Sequence, residues 1–447
     1  MDMSFIVRKA EELEGRGQEI LKFALSMERV QAVLGNLGGR DRLYDPVTTW
    51  LIFLGQTLSP DHSCRNAIAQ ARAAGILVRE ASVHTGAYCQ ARERLEEQTL
   101  RVLATGLGEA LMESETGKER WHGRRVLVPD GSSVSLPDTP ANQDAYPQPS
   151  TQAPGCGFPV MYLCGLMSLA SGAFLDFEPG AGNGNELPLW RRLWHYLRPG
   201  DVILGDGKYS SYADIALLHA KGIDVVARPG CRKIDFRGGK VFCTWDHIVE
   251  WKRPKKLPKW LGDEILSETI RVRELCFHVE VPGFRRETVT LVTTLLDSEE
   301  YSVEDIAELF FGRWQMELRL RDVKTVLGMD VLRTKTPVRV RKEVWMYLAA
   351  YNLVRMLMLT AARKVRRPVS RFSFQGTRQR LLAVAYCHCN SRTFVRTYRN
   401  LIHDIAQDLN PYRPSRVEPR AIKRRKKQYD LLNQPRTVLQ QKLRKVA

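Results

Sequence analysis

Three acidic residues occupy positions from which they can carry out metal-dependent phosphoryl transfer. Asp130 follows a short β-type run, Asp206 ends another, and Glu317 lies within a long helical segment. In a parallel α/β sheet, strand ends gather functional groups at one edge, and a helix across that edge can add a third carboxylate. Carboxylates suit Mg²⁺, and two such ions can activate a water or a 3′-hydroxyl for in-line displacement. Acids beside glycine are also typical of solvated turns, so that alternative stays open for Asp130 and Asp206.

The helix that carries Glu317 has a charged face. Its members are spaced by three, four and seven residues, which places them on one stripe. They are Phe310, Arg313, Glu317 and Lys324. A carboxylate between two cations can hold a metal ion at the centre and phosphates on either side. The spacing of Arg313 and Glu317 also suits an ordinary ion pair on a surface helix, and that alternative stays open as well.

The excess of positive charge is confined to the last fifth of the chain. The net charge is +18, and residues 361–447 contain 22 Lys or Arg against 4 Asp or Glu, so the preceding residues are neutral overall. Such a block predicts contact with a polyanion, and it is densest in one run of cations. The run consists of Lys423, Arg424, Arg425, Lys426 and Lys427. No apolar face accompanies the run, which favours sequence-independent phosphate contact over membrane binding, although a solvated block has the same composition.

Several classes of protein are excluded by what the sequence lacks. No uncharged apolar run reaches the ~18 residues of a membrane helix. The best stretch, residues 344–359, contains Asn352 and Arg355, which predicts a buried helix. The sequence shows no signal-peptide core and no GxxxxGK[ST] phosphate loop. The nine cysteines include no CxxC pair, which is typical of reduced thiols in a cytoplasmic protein.

The order of the predicted elements indicates an α/β fold with a mixed sheet. Residues 1–120 are predicted to be helical, and residues 121–228 alternate strands with helices. Turn signals separate β-type runs in residues 229–298, which predicts a β-rich insertion. Within residues 299–363, Ser302 begins a long helix that we expect to continue to Gly328. Residues 364–447 are predicted to form a basic, helical region.

The same blocks carry a family resemblance. The chain resembles the DDE transposases of bacterial insertion sequences, in the insertion-sequence-four family, whose third-carboxylate signature is Tyr, two residues, Arg, three residues, Glu, six residues, Lys. Phe310, Arg313, Glu317 and Lys324 stand at that spacing. Residues 85–95, 130–143, 200–206 and 327–355 and the basic tail are similar to family blocks in the same order. The likeness runs from about residue 40 to residue 436.

The resemblance implies an RNase H-like catalytic domain, with helices flanking a mixed sheet, in two parts at 121–228 and 299–363. It implies that Asp130, Asp206 and Glu317 are catalytic and hold two Mg²⁺ ions, for which Mn²⁺ can substitute. The implied reaction is cut-and-paste DNA transposition, in which cleavage at terminal inverted repeats leaves a 3′-hydroxyl that attacks target DNA. The implied partners are double-stranded DNA and a second copy of the chain, as a homodimer on DNA, without a membrane.

The resemblance also implies where DNA is contacted. Residues 1–120 would form a helical DNA-binding domain, and residues 364–447 would serve DNA contact, dimerisation or both. Arg313 and Lys324 would contact DNA near the cleavage step, and Phe310, Lys208 and the basic tail would add further contacts. Such a protein would act in the bacterial cytoplasm, in association with the nucleoid.

Two positions depart from the family pattern. Phe310 replaces the signature tyrosine, so the ring is kept and its hydroxyl is lost. Gly207 and Lys208 follow the second aspartate, where the family often has arginine. Lys208 can supply a positive charge but not the bidentate fork of arginine. The insertion contains tryptophans that suit either packing or stacking on a flipped base, namely Trp245, Trp251 and Trp260.

Two rival functions stay open at the level of the sequence. One is an RNase H-like nuclease that cleaves DNA without strand transfer, and the other is a non-catalytic or inactivated DNA-binding protein. Detection of joined DNA products separates a transposase from a nuclease. The intact set of three carboxylates argues against inactivation, whereas the Phe310 and Gly207 departures leave room for it.

Overall fold

The computed structural model describes residues 33–34, 42–77, 82–182, 186–279, 287–385, 391–411 and 432–446. The predicted basic run at 423–427 therefore lies outside the described residues, as does most of the segment before residue 42. Within the described residues the fold is mixed α/β, as the sequence predicts.

A single nine-stranded sheet organises the described residues. The strands are β1 (Val126–Ser135), β2 (Val160–Ser168), β3 (Phe174–Gly180), β4 (Val202–Gly205), β5 (Asp224–Ala227), β6 (Lys240–Cys243), β7 (Asp246–Lys252), β8 (Thr269–Val279) and β9 (Glu287–Thr293). Their order is β3-β2-β1-β4-β5-β9-β8-β7-β6. Strands β1, β4 and β5 are parallel to one another, and the remaining neighbours pair antiparallel.

Helices precede, interrupt and follow this sheet. They are α1 (Pro46–Leu58), α2 (Cys64–Ala73), α3 (Gly86–Arg94), α4 (Glu97–Glu113), α5 (Pro140–Ala145), α6 (Leu187–Arg192), α7 (Tyr212–Ala220), α8 (Val303–Gly312), α9 (Trp314–Arg321), α10 (Pro337–Val365), α11 (Phe374–Ala385), α12 (Ser391–Gln407) and α13 (Arg436–Val446). Their starts follow ordinary capping chemistry: Ser302 and Asp305 form a reciprocal capping box at α8, and Asp45 caps α1.

The sheet is covered on both faces because successive residues of its parallel strands point in opposite directions. Val126 and Val128 of β1 belong to the larger core, which also contains residues of α8, α9 and α10. Leu127 lies between them in sequence and belongs to a second core, formed with α6 and α7. Strand β4 divides in the same way. Strands buried on both faces in this manner are a feature of α/β proteins, and their runs are almost continuously apolar.

Strands β6 to β9 extend the sheet rather than forming a separate one. Strand β9 pairs antiparallel with β5 through Val226 opposite Thr293, so the segment at 229–298 continues the sheet from the edge of β5. The sequence predicts β structure here, and four strands are present. Arg273 of β8 and Asp246 of β7 are buried together as an ion pair.

Two local predictions are wrong. The sequence places Asp130 after the end of a strand, whereas β1 continues through it to Ser135, because β2 pairs with β1 along its whole length. The helix expected from Ser302 to Gly328 is interrupted at Arg313, and after Arg321 it widens into a π-helical turn, Asp322–Val326. Turns of this kind are frequent at functional sites.

The apolar helix predicted at 344–359 is the central helix of the core. Among the described residues, α10 alone is long and apolar enough to span a membrane, and 89% of its most apolar window is buried inside the fold. Its polar residues have internal partners. Asn352 accepts a hydrogen bond from the backbone N–H of Phe174 and donates one to its carbonyl, and Arg355 donates to the carbonyl of Ser171.

Candidate active site

Asp130 of β1 and Asp206, the residue after the adjacent parallel strand β4, are near enough for their charges to interact. Val126 and Leu127 of β1 pair with Val202 and Ile203 of β4. The same offset, continued along both strands, places Asp130 level with Asp206, the first residue after β4. The sequence predicts this proximity from strand ends at one edge of a sheet, and the register supplies it even though Asp130 lies within its strand.

The carboxyl group of Asp130 is held in an environment that disfavours its charge. Burial raises the pKa of Asp130 from 3.8 to about 6. The backbone N–H of Gly131 donates a hydrogen bond of 2.8 Å to the carboxylate and lowers the pKa, as does the guanidinium of Arg313. The carboxylates of Glu186 and Asp206 raise it. Asp130 therefore lies among other acids, with Arg313 as a compensating cation.

Asp206 begins a tight turn that presents a lysine beside it. Its side chain accepts a hydrogen bond of 2.8 Å from the backbone N–H of Lys208, within a 3-10 turn over Gly207–Tyr209. The Lys208 side chain is 62% exposed, and its Nζ lies 2.9 Å from Oε1 of Glu186. This ion pair, with smaller contributions from Asp206 and Asp130, raises the pKa of Lys208. The turn therefore adds a positive charge to the edge that carries both aspartates.

Glu186 is a member of this cluster that sequence reasoning missed. It directly precedes α6, and its side chain is only 12% exposed. Its carboxylate lies against the backbone of Gly131, where an added Cβ would overlap Glu186 Oε2. The glycine therefore leaves room for the acid. No signal in the sequence joins Glu186 to Asp130, because the contact depends on how α6 packs against β2 and β3.

Glu317 is connected to the surroundings of Asp130 by its ion pair with Arg313. Helix α9 packs against β1, and the Glu317 side chain is 42% exposed. Arg313 Nη2 lies 3.2 Å from Glu317 Oε1, and the same guanidinium lowers the pKa of Asp130. Arg313 therefore interacts with both carboxylates, since it forms an ion pair with Glu317 and lowers the pKa of Asp130. The ion pair that the spacing suits is present, whereas the metal-holding role of this face stays a prediction.

Phe310 is buried between two arginines. The ring is 6% exposed, and the guanidinium carbons of Arg313 and Arg228 lie 5.8 Å and 5.7 Å from its centroid. Contacts of this kind are attractive because the ring face is negative. Arg228 follows β5 directly, and the pairing of Gly205 with Ala227 continues to place it level with Asp206. Sequence reasoning missed Arg228, although the strand-end rule that selected Asp206 applies to it equally.

Lys324 has a different neighbour from the rest of its stripe. Its Nζ lies 3.5 Å from Asp330 Oδ1, and it belongs to the π-helical turn, which shifts its direction relative to Glu317. The contacts from Phe310 to Arg313 to Glu317 follow the predicted stripe, whereas Lys324 turns toward Asp330. Asp322 lies off the stripe, where it is buried and pairs with Arg319 at 3.0 Å.

Each of the three tryptophans of the insertion contacts another side chain of the fold. Trp251 is buried and donates a hydrogen bond of 2.7 Å to Glu274, which is a packing role. Trp260 is partly exposed, with Arg191 3.6 Å from its ring centroid. Trp245 is about half exposed and makes an edge contact with Phe236.

The three predicted carboxylates do not form a closed metal site. Among the described residues, no group of three or more His, Cys, Asp and Glu side chains is close enough to hold a metal ion. The set nevertheless offers only oxygen ligands, which fits magnesium. The pKa of the Asp130 carboxyl stays raised chiefly because the group is buried, and the charges of Glu186 and Asp206 add to the effect. The geometry brings Asp130 and Asp206 together, whereas Glu317 is connected to Asp130 through its ion pair with Arg313.

Comparison of the chain with known protein families finds a match. A family model described as a transposase DDE domain matches residues 121–353, which is slightly more than half of the chain. The chain belongs to this family of DDE transposases. The matched region begins just before β1, and it includes Asp130, Asp206 and Glu317 as well as the strands inserted between the last two.

Two relatives of this DDE transposase family member from Escherichia coli are similar to it in sequence. The transposase InsG of insertion sequence element IS4, from strain K12, is 27% identical over 293 residues. That alignment covers 63% of this chain and 62% of InsG, so the chain spans less than two thirds of the relative it matches. The transposase of insertion sequence element IS421 is 36% identical over 64 residues, which are 14% of this chain and 17% of that protein.

One solved structure is similar at a lower level. The piggyBac transposase in its synaptic complex with hairpin DNA aligns over 92% of this chain and 86% of that chain. The sequence identity is 11% and the TM-score is 0.43. A TM-score at this level does not establish a shared fold.

Proposed function

We propose that the chain is the transposase of an insertion sequence. It cuts DNA at terminal inverted repeats and joins the resulting 3′-hydroxyl ends to target DNA in a cut-and-paste reaction. The observation that carries the proposal is the placement of Asp130 level with Asp206 at the edge of two parallel strands, with Glu317 linked to them through Arg313. Membership of the DDE transposase family and the similarity to InsG support it.

Asp130, Asp206 and Glu317 are proposed as the catalytic carboxylates, and they would hold two Mg²⁺ ions or Mn²⁺ in their place. The bound metal would supply charge neutralisation and activation of the attacking oxygen. Arg313 contacts Glu317 through Oε1, so Oε2 can serve as a metal ligand while the ion pair persists. The other donors of the Arg313 guanidinium would bind a DNA phosphate, and Lys208 is exposed enough to do the same.

The wider layout extends the proposal to the rest of the chain. The RNase H-like catalytic domain comprises 121–228 and 299–363, and the β-rich insertion comprises 229–298. Residues 1–120 bind DNA, while residues 364–447, including the run at 423–427, contact DNA phosphates, hold two copies together on DNA, or do both. Phe310 and Lys324 support the DNA contacts of Arg313. The protein acts in the bacterial cytoplasm at the nucleoid.

The test is a plasmid assay with the purified full-length chain and the DNA that flanks its own gene. Cuts at the element ends that require Mg²⁺, together with joined products, are expected. Cuts without joined products would identify a nuclease of the same fold. Tight DNA binding without cuts in Mg²⁺ or Mn²⁺ would identify a non-catalytic DNA-binding protein.

A further inference from the structure

A basic cleft lies beside the helix that carries Glu317, on the face of the sheet covered by α8, α9 and α10. Its volume is about 680 Å³. Three parts of the chain form its walls: the segment between α4 and β1, the turn between β2 and β3, and the segment that follows α10. Gln315 of α9 also lines it, two residues from Glu317.

Positive charge dominates the residues that line this cleft. The lining includes five cations and one carboxylate, namely Lys118, Arg124, Arg363, Arg366, Arg367 and Glu119. Two of the cations are already neutralised within the fold, because Arg363 pairs with Glu119 and Arg124 pairs with Asp224. The other three are exposed, and the described residues offer them no ion pair.

The floor of the cleft is apolar and ends at β1. Leu169, Leu359 and Val126 contribute to it, and Val126 is the first residue of β1. Asp130 lies four residues further along the same strand, a distance of about 13 Å. DNA rises 3.4 Å per base pair, so this distance corresponds to about four base pairs. A duplex that lies across the exposed side of α9 can therefore reach the cleft and the catalytic edge together.

Helix termini alone do not account for this charge. Cations are favoured at the end of a helix, and Arg366 and Arg367 follow the last turn of α10. Lys118, however, comes from the segment before β1 and lies far from α10 in sequence. Convergence of cations from separate elements on one open cleft indicates an external anion rather than local compensation.

We propose that this cleft binds the phosphodiester backbone of duplex DNA, about four base pairs from the phosphate that is cut. The proposal rests on the proposed function, and it adds the surface and the stretch of DNA that the surface holds. Lys118, Arg366 and Arg367 contact phosphates without reading sequence. Such contacts position the duplex on the protein and make its affinity strongly dependent on salt.

The first test compares charge-neutral variants on a 40-base-pair duplex of arbitrary sequence, in EDTA, by fluorescence anisotropy from 50 to 300 mM KCl. Arg366→Gln/Arg367→Gln removes two charges and keeps the side-chain stems. Arg366 has a positive φ of 53°, and glutamine there costs no more than arginine because neither is glycine. Lys255→Gln/Lys256→Gln, in the exposed loop before β8, is the matched control.

The cleft variant is expected to bind at least about tenfold more weakly at 100 mM KCl, with a salt slope reduced by about 1–2. The control variant is expected to stay within about twofold of the natural chain. Equal affinity of the cleft variant and the natural chain would overturn the proposal, and so would equal losses in both variants. Melting temperatures of all three proteins show whether a loss reflects unfolding.

The second test locates the DNA. Ser370 lines the cleft and is exposed, so a photocrosslinking benzoylphenylalanine placed there is expected to attach to DNA within about four to six base pairs of the cut. Crosslinks elsewhere, in a protein that cuts its element ends, would overturn the cleft assignment and leave the transposase function intact. A protein that crosslinks but never cuts would contradict the transposase function instead.

Discussion

Lys208 bridges the edge of the sheet to Glu186, with 2.9 Å between Nζ and Oε1. The glutamate that it reaches lies against Gly131, the residue after Asp130. The exposed lysine that can meet a DNA phosphate is therefore held by a carboxylate that also disfavours the charge of Asp130. A phosphate that takes the place of Glu186 as the partner of Lys208 would break this ion pair. The ion pair therefore predicts how the site responds to mutation of Glu186.

Neutralisation of Glu186 is expected to release Lys208 for DNA. In Glu186→Gln, a neighbouring negative charge disappears and the ammonium loses its ionic partner. We expect severalfold tighter binding of duplex DNA at low salt, measured by anisotropy in EDTA. In a Lys208→Ala background the same change is expected to have a much smaller effect. Weaker binding by Glu186→Gln, or an equal effect in both backgrounds, would contradict a role for Glu186 in holding Lys208.

Asp130 predicts a specific dependence of stability on pH. Its folded-state pKa of about 6 exceeds the ordinary 3.8, so the folded chain binds the proton more tightly than the unfolded chain. Folding stability associated with this group therefore falls as the pH rises from about 4 to about 6, and the cost is complete above that range. Asp130→Asn is expected to be more stable than the natural chain at pH 7, by about 1–3 kcal/mol, and equal to it near pH 4.

The measurement is urea unfolding at pH 4 to 8 in EDTA. Asp263→Asn, an exposed acid before β8, serves as the control and is expected to show no comparable trend. Addition of Mg²⁺ is expected to stabilise the natural chain and to have less effect on Asp130→Asn, because a ligand that binds the folded state raises its stability. A stability difference that is the same at pH 4 and pH 8 would show that the burial of Asp130 is not its cause.

Gly131 and Glu186 are expected to be energetically coupled. An alanine at 131 would overlap the glutamate carboxylate, so Gly131→Ala alone should destabilise the chain and displace Glu186. Removal of the glutamate side chain in Glu186→Ala makes room for the new methyl group. A double-mutant cycle by urea unfolding is expected to give a coupling of about 1–3 kcal/mol. Additive effects would argue against the contact, and Gly117→Ala, whose methyl would meet no atom within 4 Å, provides the control.

Phe310 is expected to matter more as a ring than as a site for a hydroxyl. Phe310→Leu loses the contacts with Arg228 and Arg313 and should destabilise the chain by about 1–2 kcal/mol. Phe310→Tyr keeps the ring and should retain stability, while the restored hydroxyl improves the handling of DNA ends. Thermal unfolding and the rate of end cleavage separate the two effects. Unchanged stability of Phe310→Leu would remove the packing role of the ring.

Particular residues show which parts of this arrangement a sequence can reveal. The apolar run at 202–205 and the acid after it predict β4 and Asp206, because strand and turn chemistry are local. Asp130 is also selected, but its position inside β1 depends on pairing with β2, which no local pattern encodes. Glu186 is missed because no strand end marks it, and its approach to Asp130 depends on the packing of the segment before α6. The break of the long helix at Arg313 has a local signal in Gly312, which costs up to ~1 kcal/mol relative to alanine in a helix, but a single glycine does not by itself end a helix.

The measurement that tests the central claim most directly compares two glutamates. Single-turnover cleavage of an element-end duplex in Mg²⁺ is followed for the natural chain, Glu317→Gln and Glu186→Gln. If Asp130, Asp206 and Glu317 are the catalytic carboxylates, Glu317→Gln should lose cleavage by at least about a thousandfold, while Glu186→Gln continues to cut. Cleavage that survives in Glu317→Gln but is lost in Glu186→Gln would contradict that assignment and identify Glu186, whose charge raises the pKa of Asp130, as the third carboxylate.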